Sequence, residues 1–370
     1  MTILSVLVFL AGAFLFIEGG RLKIPSVKLI FLFSYLMMMA IFLKLRMNGQ
    51  TNGMINFLFL FPCYFLIFSI LNQKQIKKLM HVFVLTMTVL GVLSVILFFL
   101  WQMGRIRPDG MVLLHWSKPP KWVPSFHGIQ FMAQAGRNTG IFPEAPVYNY
   151  LLFPALLCNE LFVKYRPRLI NTLLIVTMIT STSTTSYIAL AIYLFYKLSK
   201  DKSSSSFKRF LKFFVVFAAL IAAVIFIRIV FLKKLDSHSG EVRSAKMLNE
   251  ISLFLESPLI GHGIGTVSGT SNSIIALLAE GGIFLWSIYY FPMFNLFLLN
   301  TLQRKKIDYC MMIHIFIFAV SSFFEYTFGI VLTAFMWNLL LDKFCGRDLL
   351  EHNSELKIPA LKKIIKEDML

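Results

Sequence analysis

A series of long apolar segments, separated by short clusters of Lys and Arg, constrains the fold of this chain more than any other feature. Most of these segments have the roughly 16 to 25 residues that an α-helix needs to cross about 30 Å of hydrocarbon. They lie at about 2–17, 28–43, 54–71, 79–103, 146–163, 169–198, 213–231, 273–300 and 308–342. We therefore predict an all-α polytopic integral membrane protein.

The composition agrees with that prediction and changes how the charge should be interpreted. Of 370 residues, 57% are hydrophobic and 15% are charged, whereas a soluble domain has about a quarter charged residues. A net charge of +18 would suggest nucleic-acid binding in a soluble protein. In a membrane protein, basic residues in cytoplasmic loops fix the orientation of the spans instead. We expect the lipid bilayer as a partner and no nucleic acid.

The cysteines and the first apolar segment carry no processing or metal-binding signal. Cys63, Cys158 and Cys310 lie inside apolar segments, Cys345 follows the last one, and no C-x-x-C spacing occurs. We therefore expect neither disulfides nor a metal site. The segment at 2–17 has no basic start and no A-x-A motif, so we expect it to be a retained span rather than a cleaved signal peptide.

The segment at 169–198 has basic residues on both flanks, which would place both flanks in the cytoplasm. The segment must then turn back, and the polar run "TSTSTTSY" (Thr180 to Tyr187) is the natural tip. About 30 residues give about 45 Å of helix, whereas two crossings need about 60 Å. We predict two short spans or a re-entrant hairpin. The segment at 308–342 follows the same pattern, with its tip near Glu325.

With both hairpins counted, the chain has about eleven transmembrane helices, within a range of about 10 to 12. Residues 1–342 form a single transmembrane domain, the N-terminus lies outside, and residues 343–370 form a cytoplasmic tail. Two large loops, at about 104–145 and 232–272, then lie on the external face. We expect a multi-pass protein of the plasma membrane with its functional site facing outside.

Two arginines of these external loops stand in distinctive surroundings. Arg137 lies in "GRNTGIFPEAP", where two glycines and two prolines specify a particular turn before the next span. Arg243 lies in a stretch with apolar residues at helical spacing, which predicts an amphipathic helix along the membrane that ends at Pro258. An arginine fork matches a phosphate, and two forks match a diphosphate. The alternative is a surface ion pair, Arg137 with Glu144 or Arg243 with Glu241.

Two further residues are candidates for chemistry. His262 lies in the glycine cluster "GHGIG", which lacks the Lys and the preceding strand of a phosphate-binding loop and favours a tight turn or close backbone approach. Its imidazole is either a general base or a structural group. Glu280 lies within an apolar segment, where a carboxylate is costly and points to function. Gly281 and Gly282 beside it favour a kink or close packing.

Four segments resemble motifs of the bacterial O-antigen polymerase and ligase superfamily, in particular the Wzy-type polysaccharide polymerases. They cover much of about residues 100–300 and occur in the family's order. The segments are "GRNTGIFPEAPVYNYLL", "LLIVTMITSTSTTSYIAL", "VRSAKMLNEISLFLESPLIGHGIGT" and "SNSIIALLAEGGIFLWSIYY". The resemblance implies a GT-C-like membrane glycosyltransferase. Such an enzyme joins undecaprenyl-diphosphate-linked oligosaccharide repeats into a capsule, exopolysaccharide or O-antigen, without nucleotide sugar, metal or other cofactor.

The same resemblance assigns roles to residues. Arg137 and Arg243 would stabilise the diphosphate leaving group. Ser271, Asn272, Glu280 and Thr184 occupy motif positions and would bind substrate. A flippase and a chain-length regulator would be further partners.

The chain departs from the family at two of these positions. Ser271-Asn272 stands where the ligases have His-Asn, so the proton acceptor would be His262, Glu144 or another group. Thr184 stands where an arginine is frequent, which would leave one cation fewer at the diphosphate. The alternative functions are an O-antigen-ligase-like transferase and, from another class, a flippase for lipid-linked oligosaccharides.

Overall fold

The computed structural model describes residues 24–45, 59–71, 73–114, 121–132, 136–142, 144–200, 238–264, 266–267, 273–302 and 326–344. This part of the chain is mostly helical. Its helices are α1 (Ser26–Leu45), α2 (Phe61–Ile70), α3 (Gln73–Gln102), α4 (Ala145–Cys158), α5 (Pro167–Thr180), α6 (Thr184–Lys200), α7 (His238–Glu256), α8 (Ser273–Leu302) and α9 (Tyr326–Phe344). A π-helical turn, Asn159–Val163, prolongs α4.

Within the described residues, two helical segments are long and apolar enough to cross a membrane, Lys74–Gln102 in α3 and Ile275–Pro292 in α8. Both coincide with predicted spans. The predicted spans at 2–17 and 213–231, the first half of the segment at 308–342 with Glu325, and the tail at 343–370 lie wholly or almost wholly outside the described residues. The full topology of about eleven spans therefore stays a prediction.

The apolar segment at 169–198 does break into two helices. Helix α5 has 14 residues and α6 has 17, so they measure about 21 Å and about 25 Å at 1.5 Å per residue. The turn between them is Ser181–Ser183, inside the predicted tip, and Thr182 adopts a positive φ of 45° there. The predicted turn within this segment is confirmed, and whether the two helices are short spans or a re-entrant hairpin stays a prediction.

The first of the two predicted external loops contains β-structure, so the all-α prediction is wrong there. Three antiparallel strands in the order β1-β2-β3 comprise Gly110–Leu114, Lys121–Phe126 and Gln130–Phe131. His127 and Gly128 both adopt positive φ, at 48° and 66°, as the tight turns of hairpins require. The strands are too short to stand out as a period-2 pattern beside the long apolar segments, and their pairing is not a local property of the sequence.

The helices pack in two groups that share one apolar core. Helices α3, α4 and α5 contact one another, α6 contacts α4 and α5, and β3 contacts α3. Helix α9 contacts α1, α2 and α8, and α8 also contacts α7. Buried residues from α1, α2, α3, α4, α5, α6, α8 and α9 form a single hydrophobic cluster. The two groups carry the two parts of the candidate site.

Lys28, the first residue of the apolar segment at 28–43, forms a buried ion pair. Lys28 lies in the first turn of α1 with 2% of its surface exposed. Its Nζ is 2.8 Å from Asp342 Oδ2 and donates to Asn338 Oδ1 at 3.0 Å. Asn338 Oδ1 also accepts from Ser69 Oγ at 2.7 Å. Three helices, α1, α2 and α9, thus share a buried polar network whose pairing no local pattern could indicate.

Candidate functional site

The turn that carries Arg137 is fixed by two glycines and a buried asparagine. Gly136 and Gly140 have positive φ, at 68° and 54°. A Cβ on Gly140 would lie 2.8 Å from the ring of Tyr148, so the close contact also requires glycine. Asn138 is fully buried, and its side-chain Nδ2 donates to Ser94 Oγ at 3.2 Å. The turn is therefore fastened to helix α3.

The same turn is fastened to the tip of the α5–α6 hairpin. The backbone N–H of Asn138 donates to the carbonyl of Thr180 at 3.1 Å, and Asn138 Nδ2 donates to Thr180 Oγ1 at 3.0 Å. Thr180 is the last residue of α5, directly before the Ser181–Ser183 turn. Two segments that the sequence analysis singled out separately, "GRNTG" and "TSTSTTSY", thus meet at Asn138 and Thr180.

The small sheet supports the turn from its other side. The backbone N–H of Gly140 donates to Gln130 Oε1 at 3.0 Å, and Thr139 Oγ1 donates to the carbonyl of Phe131 at 2.7 Å. The N–H of Phe131 donates in return to the carbonyl of Gly140 at 2.7 Å. Gln130 and Thr139 are both fully buried. This small sheet gives the turn a rigid base, which the sequence analysis did not predict.

Arg137 belongs to this turn and is half-buried. Within the described part of the chain it forms no ion pair, and the predicted alternative, an Arg137–Glu144 pair, does not occur. Glu144 is exposed and directly precedes α4. Its negative carboxylate is there stabilised by the positive end of the helix dipole. A permanently charged guanidinium, held by a rigid turn and without an internal counter-ion among those residues, is suited to binding an anion.

The second part of the site is a loop inserted into a break in helix α8. Gly282 has non-helical backbone angles, φ 60° and ψ −165°. The N–H groups of Ile283 and Phe284 donate to the carbonyls of Pro258 and Leu259, at 2.8 and 3.1 Å. The loop that follows α7 thereby satisfies backbone groups that the break releases, as buried backbone requires.

The exchange is reciprocal, and glycines make it possible. The N–H groups of His262 and Gly263 donate to the carbonyls of Ala279 and Glu280, at 2.9 and 2.7 Å. A Cβ on Gly261 would lie 2.4 Å from the backbone carbon of Glu280, and Gly261 has a φ of 61°. The predicted kink at the Gly281-Gly282 pair is confirmed. At the "GHGIG" cluster the backbone of the loop therefore lies directly against the backbone of α8.

Glu280 is 1% exposed, and its Oε1 accepts a hydrogen bond from the backbone N–H of Val267 at 3.2 Å. The carboxylate therefore fastens the segment that leads toward Ser271 and Asn272. Those two residues lie outside the described residues. Glu280 was predicted to bind substrate, and the contact seen here is a structural one to the chain itself.

His262 is half-buried and lies against the end of α7. Its Nε2 is 2.9 Å from the carbonyl oxygen of Leu253 and 3.6 Å from Glu256 Oε2. A carbonyl only accepts, so Nε2 carries the proton in this contact and Nδ1 is the nitrogen that a neutral ring would use as a base. The contact also satisfies a carbonyl in the last turn of α7, which is the structural alternative named above.

The other predicted site residues are placed only in part. Arg243 lies inside α7, which confirms the predicted helix before Pro258, and Thr184 is the first residue of α6. The side chains of both lie outside what the structure describes. The sequence analysis missed Asn138 and Gln130; the signal available for Asn138 was a polar residue enclosed between two glycines beside Arg137.

Arg137, Glu144 and the α5–α6 tip therefore lie with the first group of helices, and His262 and Glu280 lie with the second. Comparisons with protein-family models, with curated proteins and with solved structures find no match to this chain.

Proposed function

We propose that this chain is a Wzy-type membrane glycosyltransferase. It polymerises undecaprenyl-diphosphate-linked oligosaccharide repeats into a surface polysaccharide on the outer face of the plasma membrane. The observation that carries the proposal is the contact between Asn138 and Thr180, at 3.1 Å between the backbone N–H and the carbonyl. It joins two of the four segments that resemble the family, 42 positions apart, and sets Arg137 beside the hairpin tip.

The proposed reaction needs a stabilised leaving group more than a strong nucleophile. A hydroxyl at the non-reducing end of one lipid-linked repeat attacks the anomeric carbon of the growing chain. The bond from that carbon to the diphosphate oxygen breaks, undecaprenyl diphosphate leaves, and the hydroxyl proton passes to a base. Arg137 and Arg243 would neutralise the charge that develops on the diphosphate. The half-buried position of Arg137 strengthens this interaction, because it lowers the local dielectric.

The base is proposed from the residues available. His262 could accept the proton through Nδ1, since Nε2 is engaged with Leu253. Glu144 is exposed at the start of α4, close in sequence to Arg137. Ser271, Asn272 and Thr184 would contact sugar or phosphate, and Glu280 would hold the loop that carries Ser271 and Asn272.

The proposed topology is the one derived from the apolar segments: about eleven spans, an external N-terminus and a cytoplasmic tail. The break of 169–198 into two short helices supports it, because two basic flanks on one side of the membrane require a turn. The two apolar segments in α3 and α8 that are long enough to span support the membrane location.

A reconstituted reaction tests the proposed activity. The purified protein in liposomes is given undecaprenyl-diphosphate-linked repeats alone, with a chelator and without nucleotide sugar. We expect a ladder of lipid-linked oligomers that differ by one repeat, since donor and acceptor are the same molecule. Heat-inactivated protein is the control. Repeats that stay monomeric in this assay, but are transferred when a separate acceptor is added in a second reaction, would instead identify a ligase.

A further inference from the structure

The hairpin of β1 and β2 presents two faces with different surroundings. In its register Val112 pairs with Val123 and Gly110 with Ser125, whereas Leu113 pairs with Trp122 and Met111 with Pro124. Paired residues share a face, and successive pairs alternate between faces. Val123 and Ser125 are buried, at 2% and 3% exposed, so their face is the inner one.

The outer face is made of apolar side chains. Its four residues are Met111, Leu113, Trp122 and Pro124. Met111 is 55% exposed and Trp122 is 59% exposed. An antiparallel sheet with one face in water normally alternates apolar residues inside with polar residues outside. The outer face of this hairpin does not follow that pattern, and we call it the hairpin outer face.

The surroundings of the hairpin outer face indicate what covers it. Strand β1 follows α3, a candidate span, after one short loop of residues 103–109. This loop contains exposed Arg105 and Arg107, and Met103 beside them is 67% exposed. Trp concentrates at the boundary between hydrocarbon and water, and basic residues next to it attract lipid phosphates. The sheet also rests on α3 through β3.

We propose that the hairpin outer face inserts into the headgroup region of the membrane leaflet beside which it lies, with Trp122 and Met111 among the upper acyl chains. Arg105 and Arg107 contact the phosphates of anionic phospholipids. The occupant is the bilayer itself, because the apolar patch and its basic margin continue directly from the end of a membrane-length helix. This inference rests on the proposed membrane insertion and does not depend on the glycosyl transfer reaction.

Such an attachment has a consequence for the candidate site. The hairpin and the Arg137 turn are joined through Gln130, which accepts from the Gly140 N–H at 3.0 Å. Insertion of the hairpin would therefore hold the Arg137 turn at a fixed height close to the membrane surface, where the diphosphate of a lipid carrier lies.

Fluorescence of Trp122 in liposomes tests the inference. The emission spectrum of the Trp122→Phe variant is subtracted from that of the unsubstituted protein, so that the signals of the other four tryptophans cancel. Because Trp122 is largely exposed, the replacement removes no buried contact. With lipids brominated near the top of the acyl chains, we expect a marked loss of the difference signal, because an interfacial Trp lies near that depth. Acrylamide in the water should quench it little.

The matched control is Trp337→Phe, because Trp337 is only partly exposed and packs against the apolar core. Its Nε1 donates to the Ile288 carbonyl at 2.9 Å, and its ring centroid is 4.4 Å from that of Phe31. Its difference signal should resist acrylamide. A Trp122 signal that acrylamide quenches and brominated lipid does not would overturn the inference. So would a Trp122 signal shielded from both quenchers, since a second copy or another protein would then cover the hairpin outer face.

Discussion

Replacing Arg137 with Ala is expected to abolish formation of long glycan chains while the protein still inserts into the membrane at normal abundance. The guanidinium is half-buried, is held next to buried Asn138, and has no counter-ion among the described residues. Loss of one preorganised group that stabilises a developing charge lowers the rate by about 100- to 1000-fold. The readout is glycan length on gels, together with immunodetection of the variant in membranes.

Two companion variants sharpen this prediction. Arg137→Lys should restore activity only in part, because it keeps the charge and loses the bidentate fork. Arg168→Ala is the control for loss of a positive charge elsewhere: Arg168 is exposed and lies in the first turn of α5, about 18 Å of helix away from the tip. Normal glycan length in a stably expressed Arg137→Ala strain would remove Arg137 from the site.

Replacing Asp342 with Ala is expected to destabilise the protein by about 3–5 kcal/mol, because it leaves the buried Lys28 ammonium without its carboxylate. The Lys28 and Asp342 side chains are only 2% and 4% exposed, and their charged atoms are 2.8 Å apart. Thermal unfolding of the detergent-solubilised protein, followed by size-exclusion chromatography, measures the loss. Asp109→Ala removes a carboxylate from an exposed pair with His127 and should change stability little.

The double variant Lys28→Met with Asp342→Leu tests why Asp342→Ala is destabilised. It distinguishes the cost of an unpaired buried charge from the cost of lost packing. Apolar residues of similar volume should recover much of the stability, since a buried pair costs about as much in desolvation as it gains in attraction. A single Asp342→Ala variant as stable as the native protein would contradict the buried network. A double variant no better than the single one would mean that Asn338 needs Lys28 as a donor.

Much of the helical framework follows from local sequence properties. Apolar length predicts α1, α3, α4 and α8, and the polar run "TSTSTTSY" correctly marks the break between α5 and α6. Gly281 and Gly282 indicate the break in α8, because glycine tolerates backbone angles that other residues avoid. Each of these features is determined by residues within about 20 positions along the chain, so a single sequence is enough to predict it.

The contacts that hold the site together do not follow from local properties. Nothing around Asn138 indicates that it reaches Thr180, and nothing around Lys28 indicates Asp342, more than 300 positions away. The turn at Arg137 was foreseen from its glycines and prolines, yet its rigid base, the sheet with Gln130, was not. The sequence predicts His262 and Glu280 as site residues, and the structure shows that both make contacts that hold the loop after α7.

The most direct test of the central claim is to delete the gene in its source organism and to size both the surface glycan and the lipid-linked intermediates, on each side of the membrane. Polymerase function predicts that single repeats still reach the outer face and the surface while long chains disappear. Long chains that accumulate on the lipid carrier would contradict it and identify a ligase. Single repeats confined to the cytoplasmic side would contradict it and identify a flippase.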